Sequence, residues 1–91
     1  MPEEKLQLRV DDVVWREVED ELIILELSTS VYLSLNGTAR HLWEELATGT
    51  TIDGLVHVLT DQYGIDSERA RGDAESFLSD LTSRSLLVRG G

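Results

Sequence analysis

Cysteine is absent from this 91-residue chain. That excludes disulfides, thiolate nucleophiles and cysteine metal sites. Basic residues are scarce, eight Lys and Arg against 18 Asp and Glu, for a formal net charge of −10. A phosphate backbone is held mainly by Lys and Arg, so this balance opposes binding to nucleic acid or to an anionic membrane surface. It favours a partner with basic residues, unless the acidity serves solubility alone. No apolar run approaches the ~20 residues of a membrane helix. The opening MPEEKLQLRV has the pattern of neither a signal peptide nor a transit peptide, so the expected location is cytoplasmic. Only two histidines are present, His41 and His57, and they stand apart. They are expected on helix surfaces, with no metal or catalytic role. No nucleophile–base pair is evident, so the expectation is a protein that is not an enzyme and needs no cofactor.

At this length the chain is expected to be one domain over 1–91, with its folded core at about 10–88. A domain of this size buries only ~60–65% of its unfolded surface, enough for one modest core. Met1–Leu6 is charged and expected to fray. Val10 to Val18 carries VVWREV, where Val13 and Trp15 alternate with Val14 and Arg16, and this predicts a first strand. Glu19–Asp20–Glu21 is an acidic turn. The second strand, about Glu21–Leu27, is apolar on both faces, which suits the centre of a small sheet. The third, Val31–Leu35, follows Ser28–Thr29–Ser30 and alternates Val31, Leu33 and Leu35 with Tyr32 and Ser34. Sequential hairpins predict an antiparallel meander of order 1-2-3, with the third strand at an edge.

Three helices follow. The first, about Gly37–Ala47, carries Ala39, Leu42, Trp43, Leu46 and Ala47 on one stripe. Asn36 is placed to cap it, Gly37 lets the chain turn into it, and Gly49 ends it. The second begins at a Thr50 or Thr51 cap, carries Ile52, Leu55, Val56, Leu59 and Tyr63, and stops at Gly64. Gly54 near its start weakens it by roughly 1 kcal/mol relative to alanine. The third, about Ser67–Arg84, is capped by Asp66 or Ser67 and carries Ala70, Ala74, Phe77, Leu78 and Leu81. Leu86–Leu87–Val88 packs back or forms a short strand, and Gly90–Gly91 is a loose end. The fold class is α+β, a three-stranded antiparallel sheet followed by three helices in a winged-helix-like layout. The small residues Ala70 and Ala74 allow two readings. They permit close packing, or they hold open a shallow groove between the third helix and the edge strand.

The pattern Y-x-x-L-N, a small residue, then W-x-x-L stands here as Tyr32, Leu35, Asn36, Gly37, Trp43 and Leu46. Gly49-Thr50-Thr51-Ile52, Tyr63-Gly64, Asp73-Ala74, Phe77-Leu78, Leu81 and Leu86-Leu87 continue it. Over about residues 10–88 this resembles the PqqD-like family, the leader-peptide recognition elements of ribosomal peptide maturation. The unfused form is most similar to the stand-alone leader-binding proteins of lasso-peptide pathways. The chain departs from the family at Ser30 and Ser85, where glycine is common, at Leu33, where a second aromatic is common, and at Gly54.

The resemblance implies a non-catalytic adaptor. A precursor's leader adds as an antiparallel strand to the third strand, with the third helix as the other wall. Carried over, Val31, Tyr32, Leu33 and Ser34 offer the strand edge. Ala70, Asp73, Ala74, Phe77 and Asp80 lie on or beside the facing side of the helix. A lasso leader is expected to bring a tyrosine and a proline to an apolar patch. The implied partners are the leader, a leader peptidase and a cyclase. An alternative within the family is partnership with a radical enzyme in peptide-derived cofactor synthesis. A winged-helix DNA-binding protein is a third reading, and it requires a basic recognition helix. On residue type alone, Tyr32 and Phe77 fit either peptide contact or sheet and core packing. Asp73 and Asp80 fit either a solvated helix face or contacts to leader Lys or Arg.

Overall fold

The computed structural model describes residues 4–9 and 11–90. The expected start of the first strand at Val10, the fraying of Met1–Glu3 and the loose end at Gly91 fall outside them. The elements are β1 (Lys5–Leu8), β2 (Val13–Val18), β3 (Glu21–Glu26), β4 (Val31–Asn36), α1 (Gly37–Thr48), α2 (Ile52–Tyr63), α3 (Ser67–Ser83) and β5 (Leu87–Gly90). β2, β3 and β4 form the expected antiparallel sheet in that order. The α+β class therefore stands, with three helices after the sheet.

Alternation sets which face of the sheet is buried. Cross-strand rows Trp15–Ile24–Leu33 and Glu17–Leu22–Leu35 lie on one face. Leu22 and Ile24 are buried, Leu35 nearly so, and Trp15 and Leu33 pack at the margin of the core. α1 lies on this face through Leu42, Trp43 and Leu46. Trp43 is wholly buried and meets Trp15 edge-on, with ring centroids 5.4 Å apart at 82°. Ala47, expected on the buried stripe, is exposed. The missing member of the α2 stripe is Val58, which is buried beside Leu55 and Leu59, while Tyr63 reaches the surface and hydrogen-bonds His41.

Local conformations explain most of the unusual residues. Asn36 occupies the position before α1 but makes no side-chain cap, so its expected capping role is corrected. Gly37 follows at φ +58°, the left-handed conformation that lets α1 leave the end of β4 without a Cβ clash. Thr51 is the α2 cap, accepting from the Gly54 amide at 3.1 Å. Thr50 Oγ1 fills the space a Cβ on Gly54 would take, so the glycine that weakens the helix leaves room for the side chain of the residue before its cap. Asp66 caps α3 by accepting from the Glu68 amide at 3.2 Å. Ser30 and Ser85 both sit at φ +59°. Their positions favour glycine because a Cβ is strained there, which accounts for the family preference.

The expectation that the chain frays through Leu6 is not met. β1 pairs antiparallel with β5, and Leu6 also exchanges hydrogen bonds with Thr50 at 2.7 and 2.9 Å. Leu6 and Leu8 are buried. The signal was there as two-residue alternation, Leu6 and Leu8 against Lys5 and Gln7. Four residues are too few for pattern alone to separate a strand from a polar end. Arg9 then ties the small sheet to the large one. Its guanidinium donates to the Ser85 carbonyl at 2.6 Å and to Glu26 at 3.1 Å.

Two stability predictions follow from this packing. Ala74 has no exposed surface, so Ala74→Leu overpacks the core and is expected to lower unfolding free energy by about 1–3 kcal/mol. Ser85→Gly removes the left-handed strain and is expected to raise stability by up to about 1 kcal/mol. Urea midpoints at unchanged slope measure both. An Ala74→Leu protein as stable as the parent would show that the helix has room to spare.

Candidate functional site

β4 is an edge strand. One side of its backbone pairs with β3 along Val31–Asn36, and among the described residues no further strand lies beyond it in the sheet. Alternate N–H and C=O groups of an edge strand point away from the sheet and can template another chain. Tyr32 is 70% exposed and Val31 46%, Ser34 is exposed, and Leu33 is half-buried. Leu33 points to the core face and Tyr32 to the opposite face, because successive side chains alternate. β4 packs mainly on β3 and α1, whereas α3 packs mainly on α2 and β5.

α3 divides the remaining candidate residues. Ala70 and Ala74 are both wholly buried, in line with Leu78 and Leu81. Their expected role in opening a slot for a ligand side chain is corrected. A fully buried Cβ cannot touch a ligand docked outside, and small residues here let α3 approach α2 closely. Phe77 lies one turn beyond on the flank of this stripe, half-buried against the same core that Leu33 packs on. Asp73 and Asp80 are exposed near it. Both carboxylates already have cationic neighbours, Arg69 at 3.9 Å and Arg84 at 3.3 Å, each four residues away on the helix. The side chains of these pairs are all more than a third exposed, so the pairs are weak and a ligand cation can compete for them.

A cavity of about 680 Å³ lies along the other flank of α3. Its lining includes Leu6, Ile52 and Leu78 as an apolar floor, with Arg71, Glu75 and Arg89 around it. None of the expected site residues lines it. Strand addition uses a free backbone edge and not a cavity, and β4 offers such an edge. The sequence pattern missed this cavity because β1 and β5, which wall it, were not both recognised as strands.

The arginines of α3 do not form a basic face. Arg69 and Arg84 pair with Asp73 and Asp80, and Arg71 pairs with Asp53 at 2.7 Å. A helix whose cations are each engaged by a carboxylate is a poor phosphate-binding surface. Among the described residues no group of three or more His, Cys, Asp or Glu is arranged to hold a metal ion. Among the described residues no helix is long and apolar enough to cross a membrane.

Comparison with solved structures finds two with the same fold. One, "TbiB1 in Complex with the TbiA(beta) Leader Peptide", is 27% identical at a TM-score of 0.81, covering 89% of this chain and 93% of the other. The second, "Lasso peptide synthetase B1 complexed with the leader peptide", is 19% identical at a TM-score of 0.81, covering 91% and 96%, a likeness of fold. No curated protein matches the chain. The family model for coenzyme PQQ synthesis protein D matches residues 21–87, the span from the start of β3 into β5. With β3, β4, the three helices and most of the chain inside that match, the chain belongs to the PqqD family.

Proposed function

We propose that this protein is a non-catalytic adaptor that binds the leader of a ribosomally made precursor peptide and presents it to the enzymes that process it. The observation that carries this reading is the unpaired edge of β4, with the chain's exposed Val31, Tyr32 and Ser34 along it. The leader adds antiparallel to that edge. Backbone hydrogen bonds hold it, and Leu33, Phe77, Asp73 and Asp80 supply the side chains of the inner wall. Ala70 and Ala74 support that wall from beneath without contacting the peptide. The likeness to TbiB1, whose structure holds a leader peptide, supports the lasso-peptide setting. In that setting the partners are a leader peptidase and a cyclase, and the adaptor works in the cytoplasm where precursors are made.

Charge adds a second element. Six of the eight basic side chains are ion-paired. The excess of carboxylates therefore sets the field that an approaching peptide meets. Basic leader residues are drawn in by it, which speeds encounter more than it deepens affinity.

Two measurements test the proposal, both made by titrating the precursor leaders encoded beside this gene. Methylating the backbone amides of the segment that pairs with β4 removes its donors, and binding is expected to fall at least about tenfold, or 1.4 kcal/mol. Equal affinity for methylated and unmethylated leaders rules out strand addition. For a basic leader, raising ionic strength to 0.15 M shortens the screening length to about 8 Å, and the association rate is expected to drop. A rate that does not respond to salt would limit the acidity to a role in solubility.

A further inference from the structure

The sheet has a second face, turned away from the helices, and it is not polar. Val14, Leu25 and Tyr32 form one cross-strand row on it, in register from β2 through β3 to the open edge. Val14 is 50% exposed and Tyr32 70%. The neighbouring row is different. Arg16, Ile23 and Ser34 stand in register, and the Ser34 hydroxyl donates to Glu21 at 3.2 Å. The apolar row ends at the edge where a strand would add, and among the described residues no other element covers Tyr32.

We propose that the bound peptide is read on both faces of the sheet, with Tyr32 as the specificity-determining residue of the outer face. This rests on the strand-addition reading and deepens it. A strand paired with β4 must alternate its side chains. The residues opposite Val31 and Leu33 turn inward, toward the core margin. The residue between them, opposite Tyr32, turns outward and extends the Val14–Leu25–Tyr32 row by one place. Directly opposed side chains in an antiparallel pair lie about 4.5–5.5 Å apart, so this residue packs against the Tyr32 ring. An apolar or β-branched side chain fits there. The next outward residue, two positions along, meets Ser34 and Glu21 and is polar or basic. The ligand class is thus an extended peptide with three consecutive apolar residues and a polar outward neighbour, rather than one that alternates apolar and polar.

The occupant follows from the register. A second copy of this chain pairing edge to edge would bring together two domains of charge −10. A short peptide with basic residues meets attraction in place of that repulsion.

The test is an aspartate scan of the leader encoded beside the gene, by calorimetry, against the parent protein and Tyr32→Ser. Tyr32 is too exposed for this change to disturb folding, and its melting temperature serves as the control. Losses are expected at three consecutive leader positions. The cross-strand contact with Tyr32 accounts for a weakening of binding to the parent of up to about fivefold on the central substitution. Against Tyr32→Ser the same substitution is expected to have less than half that effect, while the two flanking losses are unchanged. Losses at alternate positions only, or a central loss unaffected by Tyr32→Ser, overturn the two-faced reading and leave strand addition standing. If no neighbouring leader binds, or if amide methylation has no effect, the strand-addition reading itself falls and this inference with it.

Discussion

The burial of Trp43 between the sheet and the helices is the contact on which the rest of the structure depends. Its indole is the largest fully buried side chain, and it meets Trp15 of β2 edge-on. A buried tryptophan removes roughly 150–250 Å² from water. At about 25 cal/mol per Å² that contributes on the order of 4–6 kcal/mol. The indole Nε1 finds no hydrogen-bond partner among the described residues, which costs about 1–3 kcal/mol. Burial exceeds that cost, so α1 is seated by apolar area and not by polar recognition.

Seating α1 in this way determines what is left open. α1 follows β4 directly through Asn36 and Gly37 and crosses back over the inner face. It therefore covers the face of β4 but not its outer edge. Natural proteins guard such edges with charge, short strands or covering elements. Here β4 is only six residues long, Ser34 is held by Glu21, and the whole domain repels copies of itself through its acidity. These devices discourage edge-to-edge pairing between domains and leave the edge available to a flexible peptide. The β1–β5 pair and the Arg9 bridges brace the opposite end, so the domain does not rely on the open strand for closure.

α3 shows how one residue type supports two opposite readings. Alanine at 70 and 74 is what a groove floor needs, and it is also what two closely packed helices need. The structure places both alanines in the α2–α3 contact with no exposed surface. In the proposed binding mode, selectivity falls to residues on the margins: Phe77 on the helix, Leu33 on the inner face and Tyr32 on the outer face. The ion pairs of Asp73 and Asp80 are exposed and four residues apart, so they hold the helix surface in balance without committing those carboxylates.

Periodicity made the central sheet, its order and the three helices legible in the sequence, because each element carries its pattern over six residues or more. Val31–Leu35 was recognisable as an edge strand for the same reason, since a meander leaves its last strand at the border. Other features depended on partners distant in the chain. β1 is a four-residue alternation whose strand character comes from Leu87–Gly90, more than 75 residues away, and from Thr50. The burial of Ala70 and Ala74 depends on how closely α2 approaches, and helical spacing specifies a stripe without saying what covers it. The outer row of Val14, Leu25 and Tyr32 emerges only when three strands settle into one register. Alternation tells which residues of a strand share a face, whereas the pairing of strands decides which residues of different strands share a row.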